Sequence, residues 1–178
     1  LAASAQGQQP ELPRSLPQFP ETLGEARCTQ TIGGSQLQSA VNRAKAGAVI
    51  CLKPGERFTG RITLPKRNDD GWVVVRTAPV AGQPAPGERV RPSHEGVLAQ
   101  LATPEGGAGA TIRVERGGRG WYLALLDVTI DPSLTAILGT IVNFPPGSSD
   151  LVLDRVLLRA GAGQQVQRCL ALNSANTA

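Results

Sequence analysis

Residues 35–77 read SQLQSAVNRAKAGAVICLKPGERFTGRITLPKRNDDGWVVVRT, a short amphipathic helix that runs directly into closely spaced strands. Ser35 is a residue type that caps helix N-termini, Leu37, Ala40, Val41 and Ala44 share one face, and Gly47 stands where a left-handed residue ends a helix. The spacing predicts a helix over 35–46, about three turns long with one apolar stripe. Strands are expected over 48–52, 57–64 and 72–77, with a turn at Lys53-Pro54-Gly55-Glu56. No room is left for a second long helix.

Outward from this stretch, the C-terminal half repeats itself. Leu123-Ala124-Leu125-Leu126-Asp127-Val128-Thr129-Ile130 aligns, 28 residues later, with Leu151-Val152-Leu153-Asp154-Arg155-Val156-Leu157-Leu158. The same shift carries Thr140-Ile141-Val142-Asn143-Phe144 onto Arg168-Cys169-Leu170-Ala171-Leu172. Such a period points to units that stack on one another, each burying the next one's apolar side chains. Val128 with Val156, Ile130 with Leu158, and Val142 with Leu170 are expected to stack inward. The alternative is a sandwich whose strands merely look alike.

Composition fits one packed domain with many turns: 40% of residues are hydrophobic, 3% aromatic, and there are 21 glycines and 14 prolines. No apolar run approaches the roughly 18 to 20 residues that span a bilayer, so no membrane partner is expected. The chain carries no Met, and Leu1-Ala2-Ala3-Ser4-Ala5 reads as the remnant of a secretory signal with an A-x-A site, which gives a secreted, periplasmic or extracellular expectation. A start within an Ala-rich segment is the alternative. Residues 6–26, rich in Gln and Pro, read as an extended arm or linker ahead of a domain over 27–178.

Cys28 and Cys51 flank the predicted helix and could form a disulfide clamping it to the first strand; two buried free thiols are the alternative. Cys169 reads as a small core residue in a strand. Net charge is +4, from 18 basic and 14 acidic residues. The basic residues do not cluster, and Arg113-Val114-Glu115-Arg116-Gly117-Gly118-Arg119-Gly120-Trp121 reads as a glycine-rich turn between strands, so no nucleic acid is expected as a partner. A mildly positive surface favours acidic polysaccharide through long-range attraction, although solubility explains it equally.

Leu37-Gln38-Ser39-Ala40-Val41-Asn42-Arg43-Ala44-Lys45-Ala46-Gly47 fits L-x-x-A-(V/L)-x-x-A-x-x-G, and Ile50-Cys51-Leu52-Lys53-Pro54-Gly55 fits I-x-L-x-x-G. Together they resemble the N-terminal cap and first strand of the pectate lyase-like superfamily, and Phe58-Thr59-Gly60-Arg61-Ile62 resembles its next strand. The resemblance implies an all-β fold, a right-handed parallel β-helix with an N-terminal capping α-helix. It further implies a monomer that is C-terminally truncated here, with further coils and a cap beyond Ala178, and a substrate groove on those later coils. Asn173 and Asn176 would then belong to an asparagine ladder.

The same resemblance implies a lyase acting on uronate polymers, in which acidic residues hold Ca2+ and an arginine or lysine acts as base. Calcium takes about 6 to 8 oxygen ligands, so carboxylates on neighbouring units must converge. Asp127, Asp131, Asp150 and Asp154 are the acids available, and Arg155 follows Asp154. On the 28-residue alignment Asp127 faces Arg155, which favours an outward ion pair worth at most about 1 kcal/mol over a site. Asp127, Asp154 and Arg155 are the surface candidates; catalytic, substrate-binding and metal-ligating residues are not assigned. His94 reads as an exposed loop residue, Gly106-Gly107-Ala108-Gly109 as a turn, and Trp72 and Trp121 as core-edge packing rather than sugar platforms. Two functional classes follow: a secreted polysaccharide-active enzyme, lyase or hydrolase, and a non-catalytic surface or adhesion module that binds carbohydrate or protein.

Overall fold

The computed structural model describes residues 21–103, 109–131, 138–161 and 163–172. Eleven strands are found there: β1 (Gln30–Ile32), β2 (Val49–Leu52), β3 (Arg57–Thr59), β4 (Ile62–Leu64), β5 (Val73–Thr77), β6 (Ala99–Thr103), β7 (Ile112–Val114), β8 (Arg119–Ile130), β9 (Leu138–Phe144), β10 (Ser149–Leu158) and β11 (Val166–Leu172). One helix, α1 (Leu37–Arg43), and three 3-10 segments, Glu21–Glu25, Gly34–Gln36 and Pro92–Val97, complete the described elements.

Every strand pair is parallel. The larger sheet has seven strands in the order β1-β2-β5-β8-β6-β3, with β10 also paired to β8; the smaller is β11-β9-β7-β4. This corrects the all-β right-handed parallel β-helix expected from the sequence. Helical segments take up 15% of the described residues, and the strands gather into two parallel sheets, which makes the fold mixed α/β. The physical reason lies in what the helical pieces do: α1 buries Leu37, Ala40 and Val41 in the main core, and Glu21–Glu25 lies against β5 and β8.

Local chemistry explains the departures from the expected element bounds. Ser35 lies inside a 3-10 turn, α1 begins without a side-chain cap, and the helix stops at Arg43. Gly47 does take a positive φ, +85°, and its N–H donates to the Trp72 carbonyl at 2.8 Å. The strand expected over 57–64 is split, because Gly60 adopts φ +142° and turns the chain from the larger sheet (β3) into the smaller one (β4). Gln38 on α1 then pairs with the free side of β4: its Nε2 donates to the Thr63 carbonyl and its Oε1 accepts from the Thr63 N–H, both at 2.8 Å.

Strand β8 serves two neighbours along one edge. Val73 and Val75 of β5 lie opposite Trp121 and Leu123, while Ala99 and Leu101 of β6 lie opposite Leu126 and Val128. Between these halves Leu125 has φ +54°, a left-handed corner rare for a non-glycine residue. The buried Thr77 hydroxyl donates to the Leu125 carbonyl and accepts from the Ala99 N–H, which fixes that corner. The corner resets the alternation: Trp121 and Leu123 face the main core before it, and Leu126, Val128 and Ile130 after it. Arg155 of β10, at φ +51°, stacks its own corner over Leu125, since Asp154 lies opposite Ala124 and Val156 opposite Leu126.

Val142 lies opposite Leu170, at the expected spacing of 28. The spacing between β8 and β10 is instead 30, so Val128 meets Leu158 and Val156 meets Leu126. A second, smaller apolar cluster covers the outer face of the larger sheet, where Val49, Cys51, Val74, Tyr122 and Ala124 pack against Leu23, Ala26 and Cys28. That coverage is why β2 and β5 are buried on both faces.

Candidate functional site

The outer cluster continues into a polar network of Glu25, Arg76, Tyr122, Asp154 and Arg155. Leu23 and Ala26 press residues 21–28 onto the sheet, and the Cys28–Cys51 disulfide, with Cα atoms 5.6 Å apart, ties that segment to β2. The segment thereby sets Glu25 over Arg76 of β5 and Arg155 of β10. Arg155 Nη2 contacts Glu25 Oε1 at 2.5 Å, and Arg76 Nη2 lies 4.0 Å from Glu25 Oε2. Arg155 also grips Asp154, donating from Nε at 3.0 Å and from Nη2 at 2.8 Å, and its Nη1 donates to the Pro84 carbonyl at 3.0 Å. Tyr122 donates its hydroxyl to Asp154 Oδ2 at 3.2 Å. Gly24 sits so close that a Cβ there would collide with Asp154 Oδ2 and come within 2.8 Å of Arg155 Nη2, so a side chain at this position must push the Asp154–Arg155 pair aside.

Burial and neighbouring charges shape this network. Burial pushes the Tyr122 phenol up to about 12, and the Asp154 carboxylate adds to the shift. Burial lowers the Arg76 guanidinium pKa and Arg155 lowers it further, against the raising influence of Glu25. For Arg155 burial opposes the charge, but hydrogen bonds to Asp154 and Glu25 outweigh it and the pKa rises. Beside the network, residues 79–86 arch over a cleft of about 450 Å³ whose walls include Glu25, Arg76, Leu125 and Arg155. A second open depression of about 560 Å³, between residues 87–90 and the strand β10, shares Arg155 as a wall and adds Arg89, Glu88 and Asp154.

The structure places Asp154 and Arg155 together at this cleft and Asp127 elsewhere. The expected outward Asp127–Arg155 pair is corrected, because β8 and β10 pair two residues out of the 28-residue alignment. Asp127 is fully buried and accepts from Arg159 in a fork, Nε to Oδ1 at 2.9 Å and Nη2 to Oδ2 at 2.7 Å, and from Gln100 Nε2 at 2.9 Å. Arg159 Nη1 reaches Glu95 at 3.1 Å, and its pKa is raised chiefly by the hydrogen bonds to Asp127. Asp131 pairs with Arg57 at 2.9 Å, and Asp150 accepts from the Ser149 hydroxyl at 2.8 Å.

The acids weighed as calcium ligands serve separate partners, and among the described residues no three His, Cys, Asp or Glu side chains come together as a cation site would need. Among the described residues the oxygen donors are not gathered as a calcium site requires. Cys169, expected in the core, is an exposed free thiol on β11. His94 is partly buried in the segment Pro92–Val97 and accepts at Nδ1 from the Arg91 N–H. Trp121 is fully buried, donates to the Pro65 carbonyl at 3.2 Å and stacks under Arg67, whereas Trp72 meets Tyr122 edge to face. Residues 1–20, Gly106, Gly107, Ala108, Asn173 and Asn176 lie outside the described residues.

Gly24, Glu25, Arg76 and Tyr122 escaped the sequence reading. The one available signal was Leu23 and Ala26, apolar residues at the end of a segment otherwise read as a linker.

No family model matches the chain, and no curated protein matches it. A solved structure, the crystal structure of alginate lyase from Paenibacillus sp. str. FPU-7, aligns with a TM-score of 0.47 and 21% sequence identity over 71% of this chain. The chain spans 43% of that protein's length.

Proposed function

We propose that the protein is polysaccharide-active and that the cleft under residues 79–90 is where this chain holds an acidic, uronate-bearing polymer. The observation that carries this is the pair of buried guanidinium groups, Arg76 and Arg155, walling an open cleft that continues past Arg155 into a second depression. An open cleft with preplaced cations that continues into a second depression suits a chain of charged sugars better than a compact small molecule. The net charge of +4 adds long-range attraction for such a polymer. The Cys28–Cys51 bridge supports an oxidising location outside the cytosol. Kinship with pectate lyase-like proteins, resting on residues 37–47 and 50–55, is part of the same proposal.

The chain's role here is to bind and orient. Tyr122, the one phenol beside the cleft, is buried and held by Asp154, and Arg155 spends its donors on Asp154, Glu25 and Pro84, so neither is free to take a proton from a sugar. Binding of polygalacturonate and alginate, measured by affinity electrophoresis at low and high salt, tests the proposal. Salt-sensitive retardation is expected; no retardation at low salt would overturn it. Ultraviolet absorbance of unsaturated products in the same mixtures separates a lyase from a module that binds without cleaving.

A further inference from the structure

Two cations converge on one anion at the cleft, and their burial is unequal. The Arg76 and Arg155 side chains are 2% and 5% exposed, while Glu25, the carboxylate they share, is 48% exposed. The cost of taking both guanidinium groups out of water has been met by the fold, whereas the carboxylate that neutralises them still faces solvent and the open cleft. Asp154 does not fill this role, because it is already taken by Arg155 and Tyr122. Arg76 is the less satisfied of the two cations. Its Nε donates to the Thr77 carbonyl at 3.1 Å, its Nη1 reaches the Ala26 carbonyl at 3.5 Å, and its Nη2 has only the 4.0 Å approach of Glu25.

We propose that Arg76 and Arg155 form a carboxylate-binding subsite, and that Glu25 is its resident, displaceable occupant, standing in for a carboxylate of an acidic saccharide. This rests on the cleft being a saccharide site. Rotation of the half-exposed Glu25 side chain into solvent opens the subsite without moving the backbone that Leu23 and the disulfide hold. An incoming carboxylate then meets the Nη2 groups of Arg76 and Arg155 that Glu25 had faced and restores the charge balance that Glu25 had supplied. The internal carboxylate competes with the external one, so wild-type affinity for a short uronate is held down by its own occupant.

The test is calorimetric titration of the wild-type chain and Glu25→Gln with trigalacturonate, with uncharged galactotriose as the second probe. Glu25→Gln is expected to bind trigalacturonate on the order of tenfold more tightly than wild type, with no change for galactotriose. No gain, or an equal gain for both sugars, would overturn the subsite. As a readout that needs no variant, the Nε–H resonances of Arg76 and Arg155 in the wild-type chain should both shift as trigalacturonate is added; if neither shifts, the subsite is wrong. Polygalacturonate binding by the wild type, measured alongside, separates the two proposals. Polymer binding without the Glu25→Gln gain would sink the subsite alone. The gain without polymer binding would sink the polysaccharide reading and leave a carboxylate site.

Discussion

Asp127 of β8 with Arg159, just past the end of β10, and Asp154 with Arg155, both on β10, are two carboxylate–guanidinium pairs, and they are inverted in their burial. In the first the anion is fully buried and the cation, Arg159, is 29% exposed; in the second the cations are buried and the outermost partner is the carboxylate of Glu25. A buried anion gripped by a fork and an amide has no reason to exchange partners. A solvent-facing anion on buried cations does. Identical residue types therefore form a fastening in one place and a receptive surface in the other, and the sign of the buried charge decides which.

The largest expected effect breaks the first pair. Asp127→Ala removes three charge-assisted hydrogen bonds to a buried carboxylate, two from Arg159 and one from Gln100, and should cost about 4 kcal/mol in urea unfolding, with trigalacturonate binding unchanged among folded molecules. A change in binding would show that the two networks are one. Next, replacing Cys28 and Cys51 together by Ala removes a link across 23 residues and should cost roughly 3 kcal/mol. If the second network depends on that tether, Arg155 should also lose its resonance shift on ligand addition. Gly24→Ala, which drives a methyl group into Asp154 and Arg155, should cost about 1–2 kcal/mol and leave the Asp127 network untouched by hydrogen exchange.

The smallest effect is a pH dependence confined to the second network. The folded state holds the Tyr122 phenol protonated up to about 12, above the value of about 10 for a free tyrosine. The folded pKa is thus raised, so its contribution to stability is full below about pH 10 and is lost as pH climbs toward 12. Melting curves across that window should fall more steeply for wild type than for Tyr122→Phe. Parallel curves would show that the phenol does not sense folding.

The helix-to-strand start was legible because its signals are local: the apolar face of Leu37, Ala40 and Val41, and the glycine at 47, act within a few residues. The split at Gly60 was not, since a glycine looks the same in sequence whether it sits in a strand or turns the chain between sheets. The repeat was visible but its spacing was misread for β8 and β10. Strand hydrogen bonds hold neighbours in register while the connecting turns vary in length, so the 28 residues that separate Val142 from Leu170 become 30 between Val128 and Leu158. That two-residue error set Asp127 opposite Arg155, whereas it lies opposite Leu157 and is reached by Arg159, two residues further on. The cleft network was hidden for a further reason: Glu25, Arg76, Tyr122 and Arg155 are brought together by a segment folded back over the outer face of the sheet, and no local pattern encodes that return.

The Gln38–Thr63 pairing has a consequence for molecules in company. An open strand edge is an adhesive surface, ready to recruit the edge of another copy and to grow by addition. One amide side chain occupies the donor and the acceptor that β4 would otherwise offer. At that border a single residue of α1 takes up the backbone groups of Thr63 that the strand of a second copy would need.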